Sequence, residues 1–131
     1  MGFTPPEEAF LAGLLHDIGK LAMVTFDAEF VRELLLKHPS EKRCLEMEHA
    51  HFGMDHAETG SEILSRWGLP ELFRHVAGQH HAPTIDGIVS HGRPGGRPLP
   101  GDSDRLVAMV MIANGLVQIA GFGPDMPVGD Y

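Results

Sequence analysis

The chain has 131 residues, 43% of them hydrophobic, with a formal net charge of −8. That length fits one domain, residues 1–131, able to bury about two-thirds of its unfolded surface, and the composition is that of an ordinary soluble globule rather than a fibrous or disordered chain. With no Lys/Arg cluster beyond Lys42-Arg43 there is no basic footprint for nucleic acid, and a single cysteine, Cys44, rules out an internal disulfide and fits a reducing compartment.

The first predicted element is a helix from about residue 5 to about 24. Thr4, Pro5-Pro6 and Glu7 read as an N-cap, a first-turn proline and a capping-box carboxylate, and Phe10, Leu11, Leu14, Leu15, Ile18, Leu21 and Ala22 recur at helical spacing. Within this apolar run lie His16, Asp17 and Lys20. His16 and Lys20 are four apart and share a face, and Asp17 sits about 100° round from His16, so the imidazole and carboxylate can converge on one ion. Gly13 and Gly19 weaken an isolated helix by about 1 kcal/mol each, which points to close approach of another helix or of a ligand.

A short helix follows from Ala28 to Lys37, with Phe30, Val31, Leu34 and Leu35 inward and His38-Pro39 as its stop. Ser40 begins another, carrying Leu45 and Met47 and ending at Gly53. Met54 to Trp67 is strongly helical, with Ala57, Ile63, Leu64 and Trp67 apolar, His56 near its start and Gly60 leaving room one turn on. A helix from Pro70 to about His81 packs through Leu72, Phe73 and Val76. From Pro83 to Gly101, five glycines and four prolines in nineteen residues exclude a helix. Residues 84–101 are expected to be a flexible surface loop or a lid beside His80-His81, with Arg93 and Arg97 available to anions. Leu106 to Phe122 is read as the central buried helix and the one candidate for membrane insertion, too short and too broken by Asn114 and Gln118 to span. Asp102 and Asp104 favour its N-terminus, Gly121 to Pro124 end it, and residues 123–131 form an irregular tail. Neither repeats nor alternating strand patterns are evident, so the fold class is all-α, a bundle of about six helices.

An uncompensated carboxylate and imidazole among leucines cost several kcal/mol. Three separated helices each bring imidazole and one brings carboxylate, through His16, Asp17, His56 and His80-His81. Imidazole plus carboxylate without thiolate is a ligand set for Mn, Fe, Mg or catalytic Zn. It suits hydrolysis at phosphorus, with Lys20 reaching a phosphate oxygen. Plainer readings stand beside this one: a hydrogen-bonded His16-Asp17 pair needs no metal, and His80 and His81 serve as cations at a helix C-terminus. Which of the two points inward is open. His38, His49, His51, His75 and His91 read as solvated or capping residues, with Glu48, His49 and His51 close enough in sequence to support His56.

His16-Asp17-Ile-Gly-Lys20, Asp55-His56-Ala57-Glu58-Thr59-Gly60, Trp67-Gly68-Leu69-Pro70, His80-His81-Ala-Pro83 and Ile112-Ala113-Asn114-Gly115-Leu116 together resemble the HDOD domain over residues 5 to 122. HDOD is a branch of the HD phosphohydrolase superfamily related to the HD-GYP cyclic-di-GMP phosphodiesterases. The resemblance implies metal ligands at His16, Asp17, His56, His80 and His81. It places the late aspartate of the family at Asn114, whose amide is the weaker ligand, and it implies N-terminal helices and an upstream histidine that are not in this sequence, as in a fragment or truncated member. HDOD domains as a group lack an established catalytic activity and commonly serve bacterial signalling proteins.

The reading is therefore a regulatory output module for signal transduction, acting by protein interaction or ligand sensing, with a depleted site for a divalent metal. The alternative is a metal-dependent phosphohydrolase or phosphodiesterase acting on a nucleotide or cyclic dinucleotide, with Asp17 and Lys20 catalytic. A structural core with ordinary buried histidines is the third reading. Signalling proteins or domains are the expected partners, together with a phosphate-containing small molecule and a second copy of the chain covering apolar surface. No nucleic acid and no membrane are expected. With no signal peptide visible from Met1 to Phe10, the expected location is the cytoplasm.

Overall fold

The computed structural model describes residues 5–37, 39–81 and 102–119. Among them the regular structure is seven helices and no strand: α1 (Pro5–Leu15), α2 (Ile18–Phe26), α3 (Ala28–Leu36), α4 (Glu41–Phe52), α5 (His56–Arg66), α6 (Glu71–Gln79) and α7 (Asp102–Ile119). The chain is all-α, as helical spacing predicts.

Local chemistry sets most of the boundaries. Asp27 caps α3 by accepting from the Phe30 amide at 3.0 Å, Ser40 caps α4, and Asp55 and Glu58 form a reciprocal capping box at the head of α5. Gly68, at φ 71°, carries the turn from α5 into α6, where the Leu69 amide bonds back to the Leu64 carbonyl at 3.0 Å.

The long first helix expected over residues 5–24 is two helices. His16 still bonds its amide to the Ala12 carbonyl at 3.0 Å, but Asp17 sits at φ −101°, ψ 14°, and α2 starts afresh with the Lys20 amide on the Asp17 carbonyl at 2.9 Å. The break has a packing reason. It lets α2 lie directly against α5, where the Gly19 nitrogen is 3.3 Å from the position of a Cβ on Gly60. The space expected over Gly60 is thus filled by Gly19, while Gly13 has no such neighbour among the described residues.

The core joins Ala12 of α1, Leu64 of α5, Phe73, Val76 and Ala77 of α6, and Leu106, Val107 and Val110 of α7. Each fully buried large side chain here contributes about 1.5–3 kcal/mol. The helices at the centre are α5 and α6, not the 106–122 segment: α7 packs on α1 and α6, burying one stripe and leaving Met109, Ile112, Leu116 and Val117 exposed. Trp67, expected inward, is 63% exposed because it stands at the C-cap, where the chain turns out of α5. Leu35 is exposed as well, with Leu34 the buried residue of α3. Among the described residues the segment long and apolar enough to cross a membrane is Pro6–Phe26 and not, as expected, the one at 106–122: its most apolar 18-residue window has mean hydropathy 1.4 and is 17% buried, while Leu106–Val117 is shorter. Residues 84–101, with Arg93 and Arg97, and the 123–131 tail lie outside the described residues.

Candidate metal centre

Three chain breaks meet at one point. Asp17 occupies the step between α1 and α2, His56 is the first residue of α5, and His80 and His81 follow the last turn of α6. Helix ends carry backbone groups without intrahelical partners, and here the side chains at those ends turn toward one another. One ligand atom from each of Asp17, His56, His80 and His81 falls within 4.8 Å of all the others. Asp17 is the N-cap of α2, yet its carboxylate makes no capping bond and faces the imidazoles instead. Its Oδ1 lies 3.4 Å from His56 Nε2 and 3.3 Å from His80 Nε2.

Each ring is held by its Nδ1. His56 Nδ1 lies 2.6 Å from Glu48 Oε2, His80 Nδ1 2.8 Å from the Ala77 carbonyl, His16 Nδ1 2.6 Å from the Gly13 carbonyl, and His81 Nδ1 on Glu41 Oε1. An oxygen acceptor at Nδ1 fixes the proton there and leaves Nε2 as a lone pair, which is the arrangement that orients histidine toward a metal. The consequence is a cluster of acceptors facing acceptors. His56 Nε2 and His81 Nε2 are 2.7 Å apart, so a proton between them or a cation beside them is required. Asp17 Oδ1 and His80 Nε2 are buried with no hydrogen-bond partner among the described residues. Two buried unsatisfied acceptors cost about 1–3 kcal/mol each, and a cation between them would satisfy both.

Electrostatics agrees with the geometry. Burial opposes ionisation of Asp17, but positive charge on the His80 side, a proton at Nε2 in the metal-free protein, and the Lys20 ammonium outweigh it and hold the carboxyl far below the usual range. His81 is pushed down to about 4 by burial and by the neighbouring His80 and His56 rings, against the pull of Glu41. Burial likewise lowers His16. Glu48 is 3% exposed. Burial resists its charge, and the His56 ring and amide more than compensate, so it too lies low.

The residues expected at the site divide into three groups. Asp17, His56, His80 and His81 come together, both members of the histidine pair facing in. His16 stands at the edge: its Nε2 is 3.4 Å from Asp17 Oδ2 and 3.4 Å from the Asn114 amide nitrogen, and its ring makes an edge contact with His80. Lys20 donates to Asp17 Oδ2 at 2.8 Å, with its amine half exposed. Of the supports suggested for His56, Glu48 accepts from both its ring and its backbone amide, the latter at 3.0 Å. His49 instead pairs with Glu58 and His51 with Asp27. Glu41 was not anticipated. Glu41, Cys44 and Glu48 fall at i, i+3 and i+7 on one face of α4, and that polar stripe was the available signal.

These residues fit a divalent ion: three imidazole nitrogens and a carboxylate, preset, with Asp17 Oδ1 and His80 Nε2 unsatisfied. No curated protein and no solved structure matches the chain. The family model of the HDOD domain matches residues 1–83, so Asn114 and the rest of α7 lie beyond it. Since that match covers more than half of the 131 residues, the chain belongs to the HDOD family.

Proposed function

We propose that this HDOD domain is a regulatory signalling module that holds one divalent cation through Asp17, His56, His80 and His81. The observation that carries the reading is the pair Asp17 Oδ1 and His80 Nε2, buried, without hydrogen-bond partners and 3.3 Å apart. Three imidazoles with a single carboxylate favour Zn, Fe or Mn over Mg, which prefers oxygen ligands. When bound, the cation would supply positive charge and a polarised water.

The regulatory reading is preferred because the remaining catalytic parts are engaged elsewhere. The amide nitrogen of Asn114 faces His16 Nε2, so it offers neither charge nor a carboxylate at the far side of the cluster. The ammonium of Lys20 is spent on Asp17. Exposed apolar side chains on α1 and α2, among them Phe10, Leu14, Leu21 and Phe26, suit a partner signalling protein or a second copy of the chain. The module is proposed to work in the cytoplasm, without nucleic acid or membrane.

The test is elemental analysis of protein purified without chelator, followed by assay against nucleotides and cyclic dinucleotides with added Mn or Fe. The expected result is bound metal without turnover. Turnover that disappears in His16→Ala and Asp17→Ala variants would establish the phosphohydrolase reading instead, and protein that takes up no divalent ion would contradict both.

A further inference from the structure

We propose that α4 is seated by the metal centre: Glu48 and Glu41 position the rings of His56 and His81 for a divalent cation, and occupancy of the site in turn holds α4 against the bundle. This rests on reading the Asp/His cluster as a cation site. Helices normally dock by burying an apolar stripe, but that of α4 is thin: Leu45, Met47 and Phe52 are only half-buried, with Phe52 edge-on to Phe30 at 5.2 Å between ring centroids. Its one buried residue is Glu48. It makes only sparse close backbone approaches to the other described helices, in contrast to the tight α2–α5 and α5–α6 contacts. What joins it to the site is a pair of carboxylates two turns apart on one face, Glu48 on the His56 ring and amide and Glu41 on the His81 ring. Its C-terminal turn is tied separately, by His51 on Asp27 and by the stacking of His51 on Phe30 at 3.8 Å between ring centroids.

The coupling follows from the chemistry of imidazole. A cation at Nε2 withdraws charge from the ring and makes Nδ1–H a stronger donor, so the bonds to Glu48 and Glu41 tighten when the site fills. Those carboxylates, by orienting the rings and raising their basicity, strengthen cation binding. Linkage makes the two effects one quantity seen from either end. Occupancy of the buried cluster thereby changes how firmly α4 is held, and α4 presents Lys42, Arg43 and Glu46 to solvent.

The experiment uses the full chain stripped with EDTA and then titrated with Co(II), read by its visible absorption, in wild type and in Glu41→Ala, Glu48→Gln and Glu46→Gln variants. Backbone amide exchange is followed with and without Co(II). Glu41→Ala and Glu48→Gln are expected to weaken Co(II) binding about 10- to 100-fold. Glu46→Gln, whose carboxylate pairs with Arg43 away from the site, should leave it unchanged. In wild type, Co(II) should slow exchange across residues 41–52 more than across α3. Glu41 is half exposed, so its variant keeps the fold even if Glu48→Gln does not. Affinities of both site-facing variants within about threefold of wild type, or exchange in α4 unaffected by Co(II), would overturn the coupling while leaving the cation site standing. A wild type that binds no Co(II) would overturn the cation reading and the coupling together.

Discussion

Gly19 and Gly60 meet backbone to backbone across α2 and α5, so closely that a Cβ on Gly19 would fall 1.9 Å from the His56 carbonyl oxygen and 2.8 Å from the Gly60 nitrogen. Two residues before Gly19 is Asp17, and His56 itself supplies a ring to the cluster, so this contact sets the distance between carboxylate and imidazole. A Gly19→Ala substitution forces the helices apart against backbone atoms that cannot rotate away. We expect a loss of about 1–3 kcal/mol or more, read by chemical denaturation, together with loss of divalent-ion binding. Wild-type stability and binding in that variant would show that the helices separate without consequence.

Acidification should destabilise the metal-free protein. The ordinary pKa of His81 is 6.5 and its folded value is about 4, so between those pH values the unfolded chain carries the extra proton and folding stability falls as pH falls. His16, also lowered, acts in the same direction. Asp17 and Glu48 add a second loss below about pH 4, where the unfolded carboxyls take up protons that the folded ones refuse. Thermal melts in EDTA from pH 7 to 4.5 should show a falling Tm, with the slope reduced in His81→Gln. A Tm that is flat or rises over that range would contradict the assignment.

Much of this was legible beforehand, and the misses have physical causes. The spacing of apolar residues located the helical segments, with α1 and α2 merged into one, and the separate appearance of His16-Asp17, His56 and His80-His81 on different segments announced that polar groups would need company. Periodicity could not show the break at Asp17, because a helix interrupted by a two-residue turn keeps nearly the same apolar spacing on both sides. Nor could it show that α7 lies at the edge, since an apolar stretch looks the same whether one face or all of it is covered. Glu41 was missed because its partner is 40 residues away, and pairing at that separation is written in the tertiary fold rather than in local sequence.

Asn114→Asp should strengthen the centre. The amide nitrogen 3.4 Å from His16 Nε2 would give way to a carboxylate, which removes the donor facing that lone pair and adds a negative charge beside it. We expect divalent-ion affinity to rise by about tenfold, ~1.4 kcal/mol, or a second ion to bind, as measured by calorimetry and elemental analysis. Unchanged affinity and stoichiometry would mean that His16 and Asn114 stand outside the ion's reach.

Cys44 should be a slow nucleophile. Its thiol is half buried, donates to Glu48 Oε1 at 3.4 Å, and is pushed up to about 12 by burial and by the Glu48 charge. The thiolate is the reacting species, and its roughly thousandfold lower population at pH 8 is partly offset by its greater nucleophilicity, so modification by a disulfide reagent should run on the order of 100-fold slower than for a free cysteine. Reaction at the free-thiol rate would show that α4 is not seated as described.

The convergence of Asp17, His56, His80 and His81 on one ion is tested most directly by diffraction from crystals grown with Zn(II) or Mn(II), with anomalous data collected at the metal edge. The account predicts a single strong peak within bonding distance of the Asp17 carboxylate and of Nε2 on the three histidines. An empty position there, or a metal bound only at other residues, would contradict it.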